Sequence, residues 1–353
     1  MISVLTRTLQ SKRMPHAILF HGPEGVGKEA VALELAKALF CQQDEIYCNE
    51  CSDCHRVAQL THPDLIVIYP APKQVKNEDT QSIRQSIVKN PYHRIQPWAN
   101  PNILIETIRN IKKTVSMTSY ENKGRVIIIL DAHRMTVEAA NSLLKILEEP
   151  LGKTTMILLS SQINLLLPTI ISRCQQVRFD PLVWQDLETA LIQREKIEPE
   201  KAKLLARMSF GSYRRALELL DENINEKQDL MLDLLRKALL SDMDILQMVE
   251  QIVSREDKKT IKDLLQLMLV WFRDAMVFHL QPSPEDYLDK IVNVDRLQTL
   301  EKFVTGLEPI DYEQVIKKVE TAVDLIDRNV YLNLILLQLL FGIKKLLRRR
   351  LHV

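Results

Sequence analysis

The sequence predicts an α/β core containing a P-loop over residues 1–180, followed by helices alone to the end of the chain. Three observations carry this. A glycine-rich turn, Gly22-Pro23-Glu24-Gly25-Val26-Gly27-Lys28, stands between an apolar run and an amphipathic stretch. Short apolar runs then alternate with helical periodicity as far as Phe179, the pattern of parallel strands joined by helices. Beyond Pro181 strand signals disappear.

Composition bounds the rest. A chain of 353 residues exceeds one compact core, so two or three domains are expected. A net charge of +1 gives no global field for nucleic acid, so any DNA contact must come from a local patch or through partners. Met1-Ile2-Ser3-Val4-Leu5 lacks the layout of a signal peptide. The longest apolar stretch, Val330 to Ile343, is broken by Asn333 and Gln338 and is too short to span a bilayer. A cytoplasmic protein with no membrane partner is expected. Four of the five cysteines crowd together, which in a reducing compartment indicates metal rather than disulfides.

In chain order, Val4 to Leu9 reads as a short helix and Ala17 to Phe20 as a buried strand. Val31, Leu33, Leu35, Leu39 and Phe40 mark a helix ending at Phe40. Between strand and helix, Gly22, Gly25 and Gly27 let the backbone wrap its N–H groups around phosphate, and the helix N-terminus adds positive potential. Lys28 would reach the outer phosphates. The next position should carry a hydroxyl to hold Mg²⁺, but it is Glu29. A carboxylate repels phosphates and cannot play the neutral hydroxyl's part. The loop therefore has the shape of a nucleotide site and lacks one working atom.

Cys48, Cys51 and Cys54 make two overlapping C-x-x-C steps, with Cys41 shortly before them at the helix end. Four thiolates close a tetrahedral shell around Zn²⁺ and leave no site open for chemistry. His55 could replace one ligand but is not needed. His62 to Ile68 gives a second strand after a turn. Residues 70–101 are polar, with prolines at 70, 72, 91, 97 and 101, and read as an irregular excursion. Ile105, Ile108, Ile111 and Val115 share one face of a helix over Ile103 to Met117.

Gly124 to Asp131 is a buried parallel strand ending in an acid, a Walker B layout in which Asp131 could hold Mg²⁺ through water. A hydrolase usually has Glu next, to polarise the attacking water; here it is Ala132. Ala140 to Pro150 is a helix stopped by proline. Thr155 to Ser160 is a fourth strand, Leu167 to Ile171 a helical approach to Ser172-Arg173-Cys174, and Gln176 to Phe179 a fifth strand. Residues 181–225 form a small helical unit containing Gly211-Ser212-Tyr213-Arg214-Arg215, and residues 226–353 a larger one. Lys344, Lys345, Arg348, Arg349 and Arg350 are read as solvated charges capping a helix C-terminus, with DNA contact as the alternative.

These residues together resemble the bacterial clamp-loader subunits of the AAA+ class. The stretches that carry it are His16 to Phe20, the cysteine insertion, His62-Pro63-Asp64-Leu65, Asn141 to Pro150, Leu167 to Cys174, and Trp271-Phe272-Arg273-Asp274. The resemblance implies a RecA-like AAA+ core with a zinc module, a helical lid over 181–225 and an oligomerising collar over 226–353. It implies a loader that places a sliding clamp on primed DNA, with delta and gamma/tau subunits as partners. Motor subunits of this family hydrolyse ATP, whereas its stator subunit typically does not. The stator's arginine in Ser-Arg-Cys, here Arg173, reaches into a neighbour's ATP site. Arg214 best matches the lid's sensor arginine, with Arg215 as the competing register, and Ser160, Ser161 or Gln162 stands at the other sensor. The segment that frames adenine in motor subunits is largely missing before Ile2, so ATP binding is doubtful. Glu29 and Ala132 depart from the motor pattern in the same direction, which favours the stator. The alternatives are an ATP-hydrolysing gamma/tau-like motor subunit and, more remotely, a small-molecule P-loop kinase with no use for the cysteine module.

Overall fold

The computed structural model describes residues 2–10, 14–43, 46–92, 94–98, 101–115, 119–121, 124–149, 152–220, 223–238, 241–281, 283, 287, 290–306, 310–328 and 330–347. Met117, Pro150, Arg348, Arg349 and Arg350, named above, lie outside the described residues. The chain divides into two compact units, Met1–Val183 with Gly211–Leu217, and Trp184–Phe210 with Glu218–Val353. The expected lid, 181–225, is therefore shared between them.

The first unit is built on five parallel strands: β1 (Ala17–His21), β2 (Leu65–Ile68), β3 (Arg125–Ile129), β4 (Thr154–Ser160) and β5 (Gln175–Arg178), in the order β2-β3-β4-β1-β5. Side chains alternate across a strand, and here both faces are apolar. Ile18, Phe20, Val126, Ile128, Ile157 and Leu159 enter one core. Ala17, Leu19, Ile127, Ile129, Met156 and Leu158 enter the other. This is why the strands read as continuous apolar runs rather than alternating ones.

Helices α1 (Ile2–Gln10), α2 (Lys28–Phe40), α3 (Ser52–Ala58) and α4 (Asn77–Lys89) supply the first core through Leu5, Leu35, Ala36, Phe40, Val57, Ile83 and Ile87. Helices α5 (Ile105–Val115), α6 (Val137–Glu148) and α7 (Pro168–Ile171) supply the second through Ile108, Ile111, Leu143, Ile146 and Ile170. The sequence reading of residues 70–101 as irregular is corrected by α4. The prolines that prompted it lie outside Asn77–Lys89, and the helix is polar, held by Ile83 and Ile87 one turn apart. Helix α6 also begins earlier than expected, where the Thr136 hydroxyl accepts the Ala139 N–H at 3.3 Å and caps it.

In the second unit every described element is helical. The long helix Lys258–Leu280 buries Leu264, Leu265, Met268, Trp271 and Phe272. Leu336, Leu339 and Ile343, on the helix Leu332–Leu347, are equally buried. These buried faces are this unit's own core. Asp274, in the same long helix, is buried because it accepts the N–H groups of Val292 at 3.1 Å and Asn293 at 2.8 Å. Among the described residues no helix is long and apolar enough to cross a membrane.

Asp64, at the mouth of β2, is fully buried. Its two oxygens accept the N–H groups of Tyr120 and Glu121 at 3.0 and 3.1 Å, and one lies 3.6 Å from the buried Arg125 guanidinium. Asp64→Ala strips the acceptor from two backbone donors and removes a buried carboxylate beside Arg125. A loss of about 3–5 kcal/mol in chemical denaturation is expected, the scale for one partner removed from a buried pair; a loss under about 1 kcal/mol would refute this account.

Candidate functional site

The P-loop leaves the C-terminal end of β1, which is hydrogen-bonded to β4 on one side and β5 on the other. An open parallel sheet places its ligand crevice at that end, next to a central strand. Gly22, Gly25 and Gly27 have φ of +145°, +75° and +93°. Gly25 meets the segment that opens Tyr213–Leu220: its carbonyl accepts the Tyr213 N–H at 2.9 Å. A Cβ at Gly25 would stand 2.1 Å from the Ser212 hydroxyl and 2.7 Å from Arg214 Cβ. Arg214 then donates to Glu24 Oε1 at 2.6 Å and lines the cavity at the loop. The Arg215 amide instead donates to the Ser212 hydroxyl at 3.2 Å.

Within the loop the expected groups are present and already engaged. Lys28 donates to the carbonyl of Gly22 at 2.7 Å and to that of Pro23. Burial lowers its pKa to about 8, against the opposing pull of Glu24, Asp131 and Glu29. Arg94, only 4 % exposed, joins Glu29 to Asp131: Nε lies 3.2 Å from Glu29 Oε1 and a terminal nitrogen 2.5 Å from Asp131 Oδ2. Burial pushes the Glu29 carboxyl upward while Arg94 pulls it down. For Arg94 burial opposes the charge, but the two carboxylates outweigh it and hold the guanidinium above the usual arginine range. The Tyr92 ring covers Gly27, where a Cβ would lie 3.1 Å from it, and meets Tyr213 edge-on at 5.1 Å.

The space left among Lys28, Glu29, Arg94, Asp131 and Arg214 is about 30 Å³. A small-molecule site is typically about 300–1,000 Å³, so this is room on the scale of a water. Ala132, after Asp131, is buried and offers no carboxylate. Of the sensor candidates Ser160 is buried, its hydroxyl 3.3 Å from His133 Nδ1 and accepting the Gln162 N–H at 3.1 Å, while Ser161 lines the cavity. Sequence reasoning missed Arg94 and Tyr92. Their partners are remote in the chain, and no local spacing marks them.

The four cysteines converge. Cys41, Cys48, Cys51 and Cys54 place their sulfurs within 4.8 Å of one another, and Cys41 and Cys48 are 3.7 Å apart. A tetrahedron with Zn–S of about 2.3 Å has an edge of about 3.8 Å, so the cluster has the size of a zinc shell. Amides of Cys51 and Cys54 donate to the sulfurs of Cys48 and Cys51 at 3.3 and 3.4 Å, favouring thiolates. Amide donation from Glu50 and Cys51 lowers Cys48 to about 7, whereas burial pushes Cys54 up to about 12. A bound cation would reverse the latter. His55 is exposed and Cys174 is elsewhere, its thiol pushed up to about 11 by burial.

A second cluster fastens the cysteine module to the sheet. His62 stacks on Phe40 at 3.9 Å, and its Nε2 lies 3.6 Å from Asp53 and 3.8 Å from Glu121. Arg56 pairs with both carboxylates, at 2.5 and 2.7 Å.

Arg173 stands just beyond α7 and before β5, with 36 % of its side chain exposed. Its guanidinium is 2.7 Å from Glu148 Oε1 and donates to the Thr169 carbonyl at 3.0 Å. It is thus a held but accessible cation.

The model of the family described as "DNA polymerase III, delta subunit" matches residues 1–183. The chain is 34% identical over 219 residues to the DNA polymerase III subunit delta' of Bacillus subtilis, a match covering 62% of this chain and 57% of that protein. It is 27% identical over 314 residues to subunit tau of the same organism, covering 81% and 51%. The matches thus span little more than half the length of these two relatives. Among solved structures, a gamma-subunit-related protein of DNA polymerase III from Thermotoga maritima aligns over 98% of this chain and 99% of its own, at 18% identity and a TM-score of 0.41.

Gly25→Ala should destabilise the folded chain by roughly 1–3 kcal/mol, because the new Cβ meets both the Ser212–Arg214 segment and a left-handed backbone. Denaturation of full-length protein measures it. An unchanged midpoint would show that this segment does not rest on the loop.

Proposed function

The chain belongs to the family of DNA polymerase III delta subunits, and from that premise we propose that it is a delta-prime-like subunit of the bacterial replicative clamp loader. In this reading it hydrolyses no ATP and serves as a fixed member, a stator, of the assembly that places the sliding clamp on primed DNA. Its partners are the delta and gamma/tau subunits, with clamp and DNA reached through the complex. Residues 1–180 act as the AAA+ core, 181–225 as the lid and 226–353 as the collar that joins the subunits.

The observation that carries the reading is the state of Lys28, bonded to its own loop's carbonyls beside a cavity of about 30 Å³. Phosphoryl transfer is catalysed almost wholly by positioning and electrostatics. A loop with no room for phosphate, Glu29 in place of the metal-holding hydroxyl and Ala132 in place of the water-polarising acid supplies neither. Gly22, Gly25, Gly27, Lys28, Glu29, Asp131 and Arg214 are thus a nucleotide site in form only. Arg173 remains accessible, and a guanidinium presents a planar fork to phosphate oxygens. We assign it as an arginine finger that stabilises charge on ATP bound to an adjacent motor subunit.

Two measurements test this. Purified alone, the chain should release no phosphate from ATP above a Lys28→Ala control; steady turnover would defeat the reading. In a reconstituted loader, Arg173→Ala should leave assembly intact and slow hydrolysis at the neighbouring site, an effect of roughly 10³–10⁵ where such fingers act. Total hydrolysis falls less, because other sites keep their own arginines, while clamp loading falls further. Arg173→Lys should rescue poorly. Unchanged loading by an Arg173→Ala complex of normal composition would rule the finger out.

We further assign Cys41, Cys48, Cys51 and Cys54 as ligands of a structural Zn²⁺ that fixes the segment between α2 and α3. Elemental analysis should find about one zinc per chain, lost in Cys51→Ser, with the damage confined to that segment. Metal-free protein with an ordered cysteine segment would overturn the assignment.

A further inference from the structure

We propose that the guanidinium of Arg94 is a resident cation standing where a P-loop ordinarily holds its divalent metal, and that it masks a latent metal site made by Glu29 and Asp131. The inference deepens the non-hydrolysing reading above and rests on it for the identity of the loop. In P-loop proteins the metal is held by the hydroxyl after the loop lysine and by the acid ending the Walker B strand. In this chain those positions are Glu29 and Asp131, and the residues present do not fit a magnesium–nucleotide complex. One buried side chain touches both: Arg94 reaches Glu29 at 3.2 Å and Asp131 at 2.5 Å.

The charges explain why these residues occur together. Among the residues lining the cavity, Glu24, Glu29 and Asp131 contribute three negative charges, and Lys28, Arg94 and Arg214 three positive ones, so the closed loop balances internally. Glu29 is then more than a lost hydroxyl. Without Glu29, the three cations would leave the loop with excess positive charge, the condition that draws in phosphate. With Glu29 but no Arg94, the three carboxylates of the cavity lining, Glu24, Glu29 and Asp131, would face only Lys28 and Arg214, and the pair Glu29 and Asp131 would lose the one cation that touches both, the condition that draws in a divalent cation. The second oxygen of Glu29 is buried and accepts no hydrogen bond. It is the ligand atom left over when a monovalent fork stands in for a metal. Tyr92 lies over Gly27 and Pro91 lines the same cavity, so the segment carrying Arg94 covers the loop as well as neutralising it.

The experiment uses full-length protein with Mg²⁺, Mn²⁺ and a fluorescent ATP analogue as probes. Wild type should melt at the same temperature in chelator and in millimolar Mg²⁺, and should not bind the analogue. Arg94→Ala should melt roughly 5–10 °C lower in chelator and regain much of that loss with Mg²⁺ or Mn²⁺. Arg94→Ala/Glu29→Gln should lose both the deficit and the cation response. Arg94→Ala/Glu29→Thr restores the hydroxyl, and should bind the analogue at least about tenfold more tightly than wild type, only with Mg²⁺. An Arg94→Ala protein that ignores divalent cations overturns the proposal. If that variant does not fold, the Glu29→Thr double variant decides: binding no tighter than wild type overturns it. Wild-type protein that binds Mg²⁺ and the analogue tightly overturns it without any variant. Failure of the stator reading is separate, since it shows in the Arg173→Ala loader and not in the cation response of Arg94→Ala.

Discussion

Strand β1 is hydrogen-bonded along both edges, to β4 in register Ala17–Met156 through His21–Ser160 and to β5 from Ile18–Gln175 to His21–Arg178. That double pairing is the constraint on which the first unit depends. It fixes where the chain leaves the sheet, and therefore where Gly22 to Lys28 must turn. It also brings Asp131, at the end of β3, and Ser160, at the end of β4, to the same rim. A parallel sheet buried on both faces admits little change in these positions, because shifting one strand by a residue would exchange its two cores. The crevice is consequently kept by the fold whether or not chemistry takes place in it.

What the crevice holds is set by a handful of side chains. A working loop needs Lys, a hydroxyl and an acid arranged around charges that arrive with the ligand. Here the charges are all supplied by the chain. Burying Glu29 and Asp131 is costly unless they are paired, and Arg94 pairs both. Breaking such a set by removing one member is costlier than having replaced the whole of it with apolar groups. The ion pairs therefore act less as a source of stability than as a lock on one arrangement of the loop.

Legibility in the sequence followed the range of the interaction. The strands were readable because sheets buried on both faces need unbroken apolar runs, such as Val126 to Leu130. The cysteine cluster was readable because its four members are close together in the sequence, three of them in C-x-x-C steps. Glu29 and Ala132 stood out because the motif around them fixes what should be there. Helix α4 was not readable: two isoleucines one turn apart in a polar segment flanked by prolines give little periodicity. Arg94 follows from that miss. It belongs to the segment after α4, and its partners Glu29 and Asp131 are 65 and 37 residues away. Nothing in the identity of a single arginine distinguishes a solvated charge from one that closes a site; only the fold brings the three residues together. Arg214 lies 190 residues from Glu24 and is placed by the same kind of contact.

The internal balance has a consequence for dynamics. A protein that binds nucleotide is stabilised by its ligand in proportion to the logarithm of ligand concentration over dissociation constant. Its loop, and whatever rests on the loop, therefore shifts as nucleotide arrives, is cleaved and leaves. In this chain the segment Gly211–Leu217 rests on Gly25, and the loop's charges are satisfied without any ligand. A ligand with no differential affinity for two states shifts nothing, and a site that admits no ligand is the limiting case. In the proposed reading the contact between Gly25 and Tyr213 is independent of the nucleotide cycle. In an assembly whose other members change shape with ATP, a subunit of this kind gives them a fixed reference. An accessible, acid-held Arg173, at the end of the sheet opposite the loop, is consistent with that division of labour. In the proposed reading Arg94 closes the fold's ligand-responsive half, while Arg173, the group assigned to a neighbour's ligand, is left accessible.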